Sequence, residues 1–148
     1  MAQDGSIFKL YYSTTLLAAT DNATIAAHGF TEATDVSSVQ SPATRSQSDY
    51  NARSGVVTTT GPAKYSKSFE MLLDNSNAFY AAIKAAFDAN TAIALADVDG
   101  AIATTGTKGD AGNFLVTDFE PNEPDSGPAT VSVSVAKTSF FTSDYTAP

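Results

Sequence analysis

Alternation of apolar and polar residues is most regular in PATVSVSVAK, residues 128–137. Val131, Val133 and Val135 share one face of the predicted strand, because successive side chains of a strand point to opposite sides. The other face carries hydroxyl side chains, from Thr130, Ser132 and Ser134. The pattern predicts that the valines pack in the core and that the hydroxyl face contacts water, a neighbouring subunit or a molecule that must not adhere.

Five further segments have the apolar content or alternation of strands: residues 6–12, 33–40, 65–73, 91–98 and 113–120. The third of these, YSKSFEMLL, has one apolar face that is interrupted by Lys67. The apolar side chains of that face are Tyr65, Phe69, Met71 and Leu73. The opposite face is polar and consists of Ser66, Ser68 and Glu70. It therefore repeats the hydroxyl-rich character found in residues 128–137.

One helix is predicted at about residues 76–89. Phe79, Ile83 and Phe87 recur at a spacing of four, which places them along one stripe of a helix. Asp74 and Ser76 supply side-chain oxygens that can cap the first turn. The sequence thus predicts several strands with a single helix packed on them.

Three kinds of segment lack a clear element. Residues 41–64 have little apolar content before Val56, which predicts a long loop with a short strand near its end. Residues 100–113, GAIATTGTKGDAGN, are rich in glycine and threonine and are predicted to form a flexible hairpin tip. The chain ends, residues 1–5 and 143–148, are predicted to be flexible, with a role as arms that reach across subunits as the alternative.

Composition restricts the function classes. The chain of 148 residues, long enough for one domain, has sixteen acidic residues against eight basic residues and no cysteine. Disulfides, thiolate nucleophiles and zinc-thiolate sites are excluded. Tight nucleic-acid binding is disfavoured, because its affinity comes largely from lysine and arginine. Neither a signal peptide nor an apolar run of membrane-spanning length is found, so we expect a soluble, untargeted protein.

Candidate catalytic chemistry is sparse. His28 is the only histidine, and we expect it to be a surface or turn residue before Gly29. No serine lies in a GxSxG pattern. The segment from Gly100 to Gly109 departs from a phosphate-binding loop in both its spacing and its final hydroxyl. No catalytic residue or cofactor is predicted.

Asp97 and Asp99 have the spacing that opens a calcium loop. Ala101 and Lys108 occupy positions where further oxygen ligands belong, so the pattern favours a turn at a strand end. Weak binding of calcium at a composite site stays open as the alternative, and no metal site is predicted.

The order of these segments resembles the tail tube (major tail) proteins of long-tailed bacteriophages, which are related in fold to the tube proteins of contractile injection systems. The resemblance spans most of the chain, through ATDVSSVQ, a long polar loop, YSKSFEMLL, NAFYAAIKAAFDAN, TAIALADVDG, FLVTDFEPNEPDSGP and ATVSVSVAKT. It implies a mainly β fold, a β-sandwich or split barrel with one flanking α-helix. It also implies hexameric rings that stack into the tube through which the genome leaves the capsid.

Further expectations follow from the resemblance. The protein would be a non-enzymatic virion component, located in the tail and assembled in the host cytoplasm, with no membrane contact. Its partners would be copies of itself, other tail proteins at the tube ends, and viral DNA that passes through without specific binding. The candidates for the lumen wall are Ser66, Ser68, Glu70, Thr130, Ser132 and Ser134. The candidates for inter-subunit contacts in the predicted loop are Arg45, Asp49, Tyr50 and Arg53.

Two other function classes remain open from the sequence. A capsid decoration protein or a tail terminator would share the acidic, β-rich composition but would form trimers or a single ring. A carbohydrate-binding β-sandwich would use tyrosine rings as stacking faces, and the candidates are Tyr11, Tyr12, Tyr65 and Tyr80.

Overall fold

The computed structural model describes residues 8–148, apart from the side chains at positions 38, 46, 59–61 and 139. In chain order the elements are β1 (Lys9–Ser13), α1 (Asn22–Ala26), β2 (Thr31–Glu32), β3 (Val36–Gln40), β4 (Ala43–Ala52), β5 (Gly55–Leu72), α2 (Ala78–Ala89), β6 (Ala92–Val98), β7 (Lys108–Asn122) and β8 (Thr130–Thr146). The strands pair antiparallel in the order β2-β1-β6-β7-β8-β5-β3, and β4 pairs with β5 alone. The sheet curls into a half-barrel, which confirms the predicted mainly β fold with a flanking helix.

Helix α2 confirms the predicted helix and begins at a side-chain cap. The Asn77 side chain accepts a hydrogen bond from the Phe79 backbone N–H at 2.9 Å, and the helix ends at Asn90 in the left-handed conformation. Its buried residues are Phe79, Tyr80, Ile83 and Ala86. Phe87, predicted on the buried stripe, is instead 40% exposed and stacks on Phe119 of β7. The short helix α1 has no counterpart in the sequence prediction.

The main hydrophobic core lies between the concave side of the sheet and α2. Val131, Val133 and Val135 are each at most 1% exposed within it, so their predicted core position is confirmed. A second cluster covers the other side of the sheet at the end formed by β1, β6 and β7, where Leu17 and Ile25 pack from the α1 region. Strand β6 is consequently buried on both sides along most of its length.

The predicted loop at 41–64 is wrong in its secondary structure, because β4 and the first part of β5 form a long two-stranded hairpin there. The strands are joined at Arg53 and Ser54, and Gly55 follows with φ +130°. The segment lacks the alternation of a half-buried strand because both of its faces are exposed along most of its length. The segment does contain several threonines and two valines, which are residue types enriched in strands.

The C-terminal prediction is also wrong for the described residues, because β8 continues to Thr146 and its end is buried. Tyr145 and Ala147 are buried in the second cluster, and the Tyr145 hydroxyl donates a hydrogen bond to the Ile102 carbonyl. The Ala147 backbone N–H also donates to the Thr107 carbonyl at 2.8 Å. Apolar side chains and backbone pairing together hold this end, whereas residues 1–5 lie outside the described part of the chain.

Candidate self-assembly surfaces

The sheet brings the six predicted wall residues together on one side: Ser66, Ser68 and Glu70 on β5, and Thr130, Ser132 and Ser134 on β8. Glu70 lies opposite Ser132 and Ser68 lies opposite Ser134, so these side chains are cross-strand neighbours. Glu70 and Ser132 are exposed, whereas Val133 between the serines of β8 points into the core.

Neighbouring strands extend this surface in both directions. On β7, Asp118 lies opposite Ser134 and Glu120 lies opposite Ser132. On β3, Ser37 lies opposite Glu70. We call the whole surface the polar face, and its members are Ser37, Gln40, Ser66, Ser68, Glu70, Asp118, Glu120, Asn122, Thr130, Ser132 and Ser134.

Three carboxylates give the polar face its charge. Glu70, Asp118 and Glu120 belong to it, and none of its members is lysine or arginine. The sequence prediction missed Asp118 and Glu120, the two acidic residues that β7 contributes to this face. A signal for them exists in TDFE, where the half-buried Phe119 separates two exposed carboxylates with the period of a strand. The members of the polar face therefore repel a polyanion and include no cation, and the exposed Lys64 lies two residues before Ser66 on β5.

The hairpin of β4 and early β5 is the second candidate surface, and we call residues 43–64 the arm. Its four predicted contact residues are all exposed: Arg45, Asp49 and Tyr50 on β4, and Arg53 at the turn. The Thr58 hydroxyl donates to the Asp49 carboxylate at 3.0 Å across the hairpin. The structure thus brings these residues onto one projecting element, although Asp49 is engaged by its own hairpin.

The arm exposes apolar area near its turn. Tyr50 is 69% exposed, Val56 is 64% exposed, and Val57 lies directly opposite Tyr50. Among the arm side chains that the structure describes, none belongs to either hydrophobic cluster. Exposed apolar side chains on a two-stranded ribbon are typical of a surface that is covered by a partner.

The sheet also has an unpaired edge in the described residues. Strand β3 is the last strand of the path and pairs only with β5, which leaves one side of its backbone unpaired within the chain. Such an edge can pair with a strand from another molecule. The polar face thus continues to an edge that is open to a second copy.

A charged cluster lies inside the curl of the sheet. Lys67 is 2% exposed, and its Nζ lies 2.7 Å from Asp110 Oδ1 and 3.8 Å from Asp97 Oδ2. Its ammonium also donates to Ser41 Oγ at 2.9 Å, at the base of the arm. Lys67 is the residue that interrupts the apolar face of YSKSFEMLL, and the curl lets it reach carboxylates on β7 and β6, the first and second strands beyond β8.

Burial raises the pKa of Asp97 above its ordinary value. The Lys67 ammonium partly opposes this rise in pKa, whereas the facing Asp110 carboxylate adds to it. The cluster has one cation for two carboxylates in the interior, so it carries excess negative charge when both are ionised. Its contacts join the base of the arm to β6 and β7.

The tyrosines proposed as stacking faces for a carbohydrate do not form a platform. Tyr11 and Tyr80 are buried, each in a different hydrophobic cluster. Tyr12 packs against the Phe79 ring at 4.9 Å, and the Tyr65 ring stacks on Phe141 at 4.6 Å. Because these rings contact other side chains of the chain, the structure gives the carbohydrate-binding alternative no support.

The predicted turns at Asp99 and His28 are confirmed. The Lys108 backbone N–H donates to Asp99 Oδ1 at 2.8 Å and closes the connection between β6 and β7. His28 Nε2 lies 2.6 Å from the Thr15 carbonyl oxygen, and Gly29 follows with φ +83°. Both side chains therefore have local structural contacts.

No cluster of three or more His, Cys, Asp or Glu side chains in the described residues is arranged to hold a metal ion. Within residues 8–148, neither α1 nor α2 has the length and apolar content needed to cross a membrane.

Comparison with solved structures identifies chains of the same fold. A chain in the tail of an empty gene transfer agent particle, solved by helical refinement with C6 symmetry, superposes with a TM-score of 0.69. The two chains are 13% identical, and the match covers 96% of this chain and 98% of that one. A chain in the virion of a native gene transfer agent particle gives a TM-score of 0.68 at 13% identity, over 97% of this chain and 98% of that one.

A more distant match is a chain in the sheath-tube complex of an extracellular contractile injection system in its extended state. Its TM-score is 0.55 at 9% identity, over 92% of this chain and 88% of that one. No protein-family model and no curated protein matches the sequence. The resemblance to tail tube proteins predicted from the segment order is confirmed at the level of the fold.

Proposed function

We propose that the protein is the structural subunit of a tail tube. Copies assemble into hexameric rings, and the rings stack into a conduit for DNA within a virion tail that is assembled in the host cytoplasm. The observation that carries the proposal is the match, over 96% of this chain, to a chain in a tail of C6 symmetry. Other tail proteins contact the tube ends, and no catalytic role is proposed.

The free edge of β3 supports assembly within a ring. This edge lies beside Ser37, at one end of the polar face. Pairing with a strand of a neighbouring copy would satisfy its backbone groups and would continue the polar face from one subunit to the next. Six such contacts close a ring in which no β3 edge is left unpaired.

The charge of the polar face supports its placement on the lumen wall. Glu70, Asp118 and Glu120 would be repeated in every subunit around the bore. Double-stranded DNA gains affinity from cations that replace its counterions, and this wall supplies none. DNA would therefore pass without being retained.

Negative-stain microscopy of the purified full-length protein at high concentration tests the proposal. We expect open-ended tubes built from rings with sixfold symmetry. Trimers or isolated rings at all concentrations would contradict it and would support a capsid decoration protein or a tail terminator instead. A monomer under every condition would contradict all three assignments.

A further inference from the structure

The basic residues of the chain are unevenly distributed. Arg45 and Arg53 are the only two arginines, and both lie on the arm with Lys64. The arm contains one acidic residue, Asp49, although the chain as a whole has twice as many acidic as basic residues. The arm is thus a basic projection from an acidic protein.

The opposite end of β5 is acidic. Four exposed carboxylates lie in the segments that meet there, and we call them the acidic end: Asp35, Asp74, Glu123 and Asp125. The Leu72 N–H donates to the Asp35 carbonyl at 3.1 Å, and the Leu73 N–H donates to the Ala129 carbonyl at 3.0 Å. These bonds hold the three segments together. Residues 34–37, 73–77 and 122–129 contain no lysine or arginine.

Hydrogen bonds favour the ionised form of Asp74. Hydrogen bonds from the Ser76 hydroxyl and backbone N–H lower the pKa of its carboxyl group. Asp74 therefore keeps its negative charge at and below neutral pH.

The arm and the acidic end cannot meet within one chain. Lys64 and Leu72 both lie in β5, eight residues apart. At about 3.3 Å per residue of strand, this spacing corresponds to roughly 26 Å. The arm extends away from Lys64 toward its turn at Arg53, which increases the separation. The complementary partner of each surface must come from another molecule.

We infer that the arm of one copy docks on the acidic end of a second copy, so that subunits stack head to tail with one polarity. The inference rests on the proposed function and specifies the surface that receives the arm. Arg45 and Arg53 would face the carboxylates of the acidic end, while Tyr50 and Val57 would supply apolar contact area. Exposed ion pairs are individually weak and are screened by salt, so the contact should weaken as ionic strength rises.

Charge reversal in the full-length protein tests this contact. R45E/R53E reverses the charge of both arginines of the arm, and E123K/D125K reverses the charge of two carboxylates of the acidic end. Sedimentation and negative-stain microscopy measure assembly. We expect each variant alone to need at least a tenfold higher concentration to form tubes. An equimolar mixture should assemble near the wild-type concentration, because each variant carries the surface that complements the other.

Lys84→Glu is the control, since Lys84 is exposed on α2 and belongs to neither surface. It should leave the assembly concentration within about twofold of wild type. Circular dichroism melting verifies that each variant is folded. Wild-type-like assembly of both reversed variants, or a mixture that assembles no better than its components, would overturn the inference while wild-type tubes still support the proposed function. Absence of wild-type tubes would instead refute the proposed function.

Discussion

The Lys67 ammonium lies 2.7 Å from the Asp110 carboxylate across the interior of the half-barrel. The two residues belong to β5 and β7, which are separated in the sheet by β8. Their contact therefore links strands that are not hydrogen-bonded to one another. An ion pair in this position stabilises the curl while both partners are present, because removal of Asp110 leaves the buried Lys67 with only the more distant Asp97 carboxylate at 3.8 Å.

Asp110→Asn should lower the free energy of unfolding by about 2 kcal/mol. Breaking a fully buried ion pair costs roughly 3–5 kcal/mol, and the Asp110 side chain is 22% exposed, which reduces the loss. Urea denaturation followed by circular dichroism measures the change. Asp144→Asn, at an exposed position on β8, should change the stability by less than about 0.5 kcal/mol. Equal effects of the two substitutions would show that the Lys67 contact does not contribute.

Asp97→Asn should change how stability depends on pH. The carboxyl group has a raised pKa in the folded state, so the folded state binds its proton more tightly than the unfolded state, whose value is near 3.8. The contribution of this group is fully present below that value and is lost as pH rises through the raised pKa. Because asparagine does not titrate, the stability of the variant should not decline in this way as pH rises above 3.8.

Melting temperatures of wild type and Asp97→Asn across mildly acidic to neutral pH measure this effect. The variant should be as stable as wild type or more stable at neutral pH, since Lys67 retains its closer partner, Asp110. A parallel pair of pH profiles would contradict the prediction.

The sequence predicted the elements that combine regular alternation with a buried face. Val131 and its neighbours on β8 have a polar side chain at every second position, and Phe79 and Ile83 share a helical stripe. Burial of one face imposes these periods on a sequence. The core residues and the polar rows of β5 and β8 could therefore be predicted without knowledge of which strands pair in the sheet.

The arm and the end of β8 could not be predicted in the same way. Both faces of the arm are exposed along most of its length, so no apolar period marks its strands. Tyr145 is held by Ile102 and by a second hydrophobic cluster that is assembled from distant parts of the chain. The link between Lys67 and Asp110 likewise depends on the curl of the sheet, which the sequence pattern does not encode.

Gly112→Ala should destabilise the sheet by about 1–3 kcal/mol. A Cβ atom at this position would lie 2.6 Å from the Phe140 carbonyl oxygen and 2.9 Å from the Phe141 Cα, which forces β7 and β8 apart beside a register shift. Gly112 lies in the segment predicted to be a flexible hairpin tip, but the structure requires a glycine there because β7 and β8 pack closely. Gly100→Ala is the control, because its nearest neighbour is the Thr107 side chain at 3.2 Å. Thermal melting should show a clearly smaller loss for the control.

Replacement of residues 45–63 by Asn-Gly should abolish tube formation and leave the subunit folded. Thr44 and Lys64 face each other in the hairpin, and a two-residue Asn-Gly turn can join such a pair. No residue of the replaced segment whose side chain the structure describes belongs to a hydrophobic cluster, so the core should be retained. Circular dichroism checks the fold, and sedimentation with microscopy checks assembly. Normal tubes from the shortened chain would show that the arm has no part in assembly.

Glu70→Lys/Glu120→Lys should produce tubes that retain DNA. The two residues flank Ser132 in one row of the polar face, and their substitution replaces two of its three carboxylates by cations. Cations that displace counterions bind double-stranded DNA in a salt-dependent manner, so fragments should co-sediment with the variant tubes at low salt and be released at high salt.

Ala85→Lys/Asp88→Lys adds the same number of lysines to exposed positions of α2, on the other side of the sheet. Both variants are assembled in the presence of DNA fragments and then treated with nuclease. If the polar face lines the bore, the DNA that co-sediments with Glu70→Lys/Glu120→Lys tubes should be protected, whereas DNA bound to the control tubes should be degraded. Equal nuclease sensitivity of the co-sedimenting DNA in both would contradict a polar face that lines the bore.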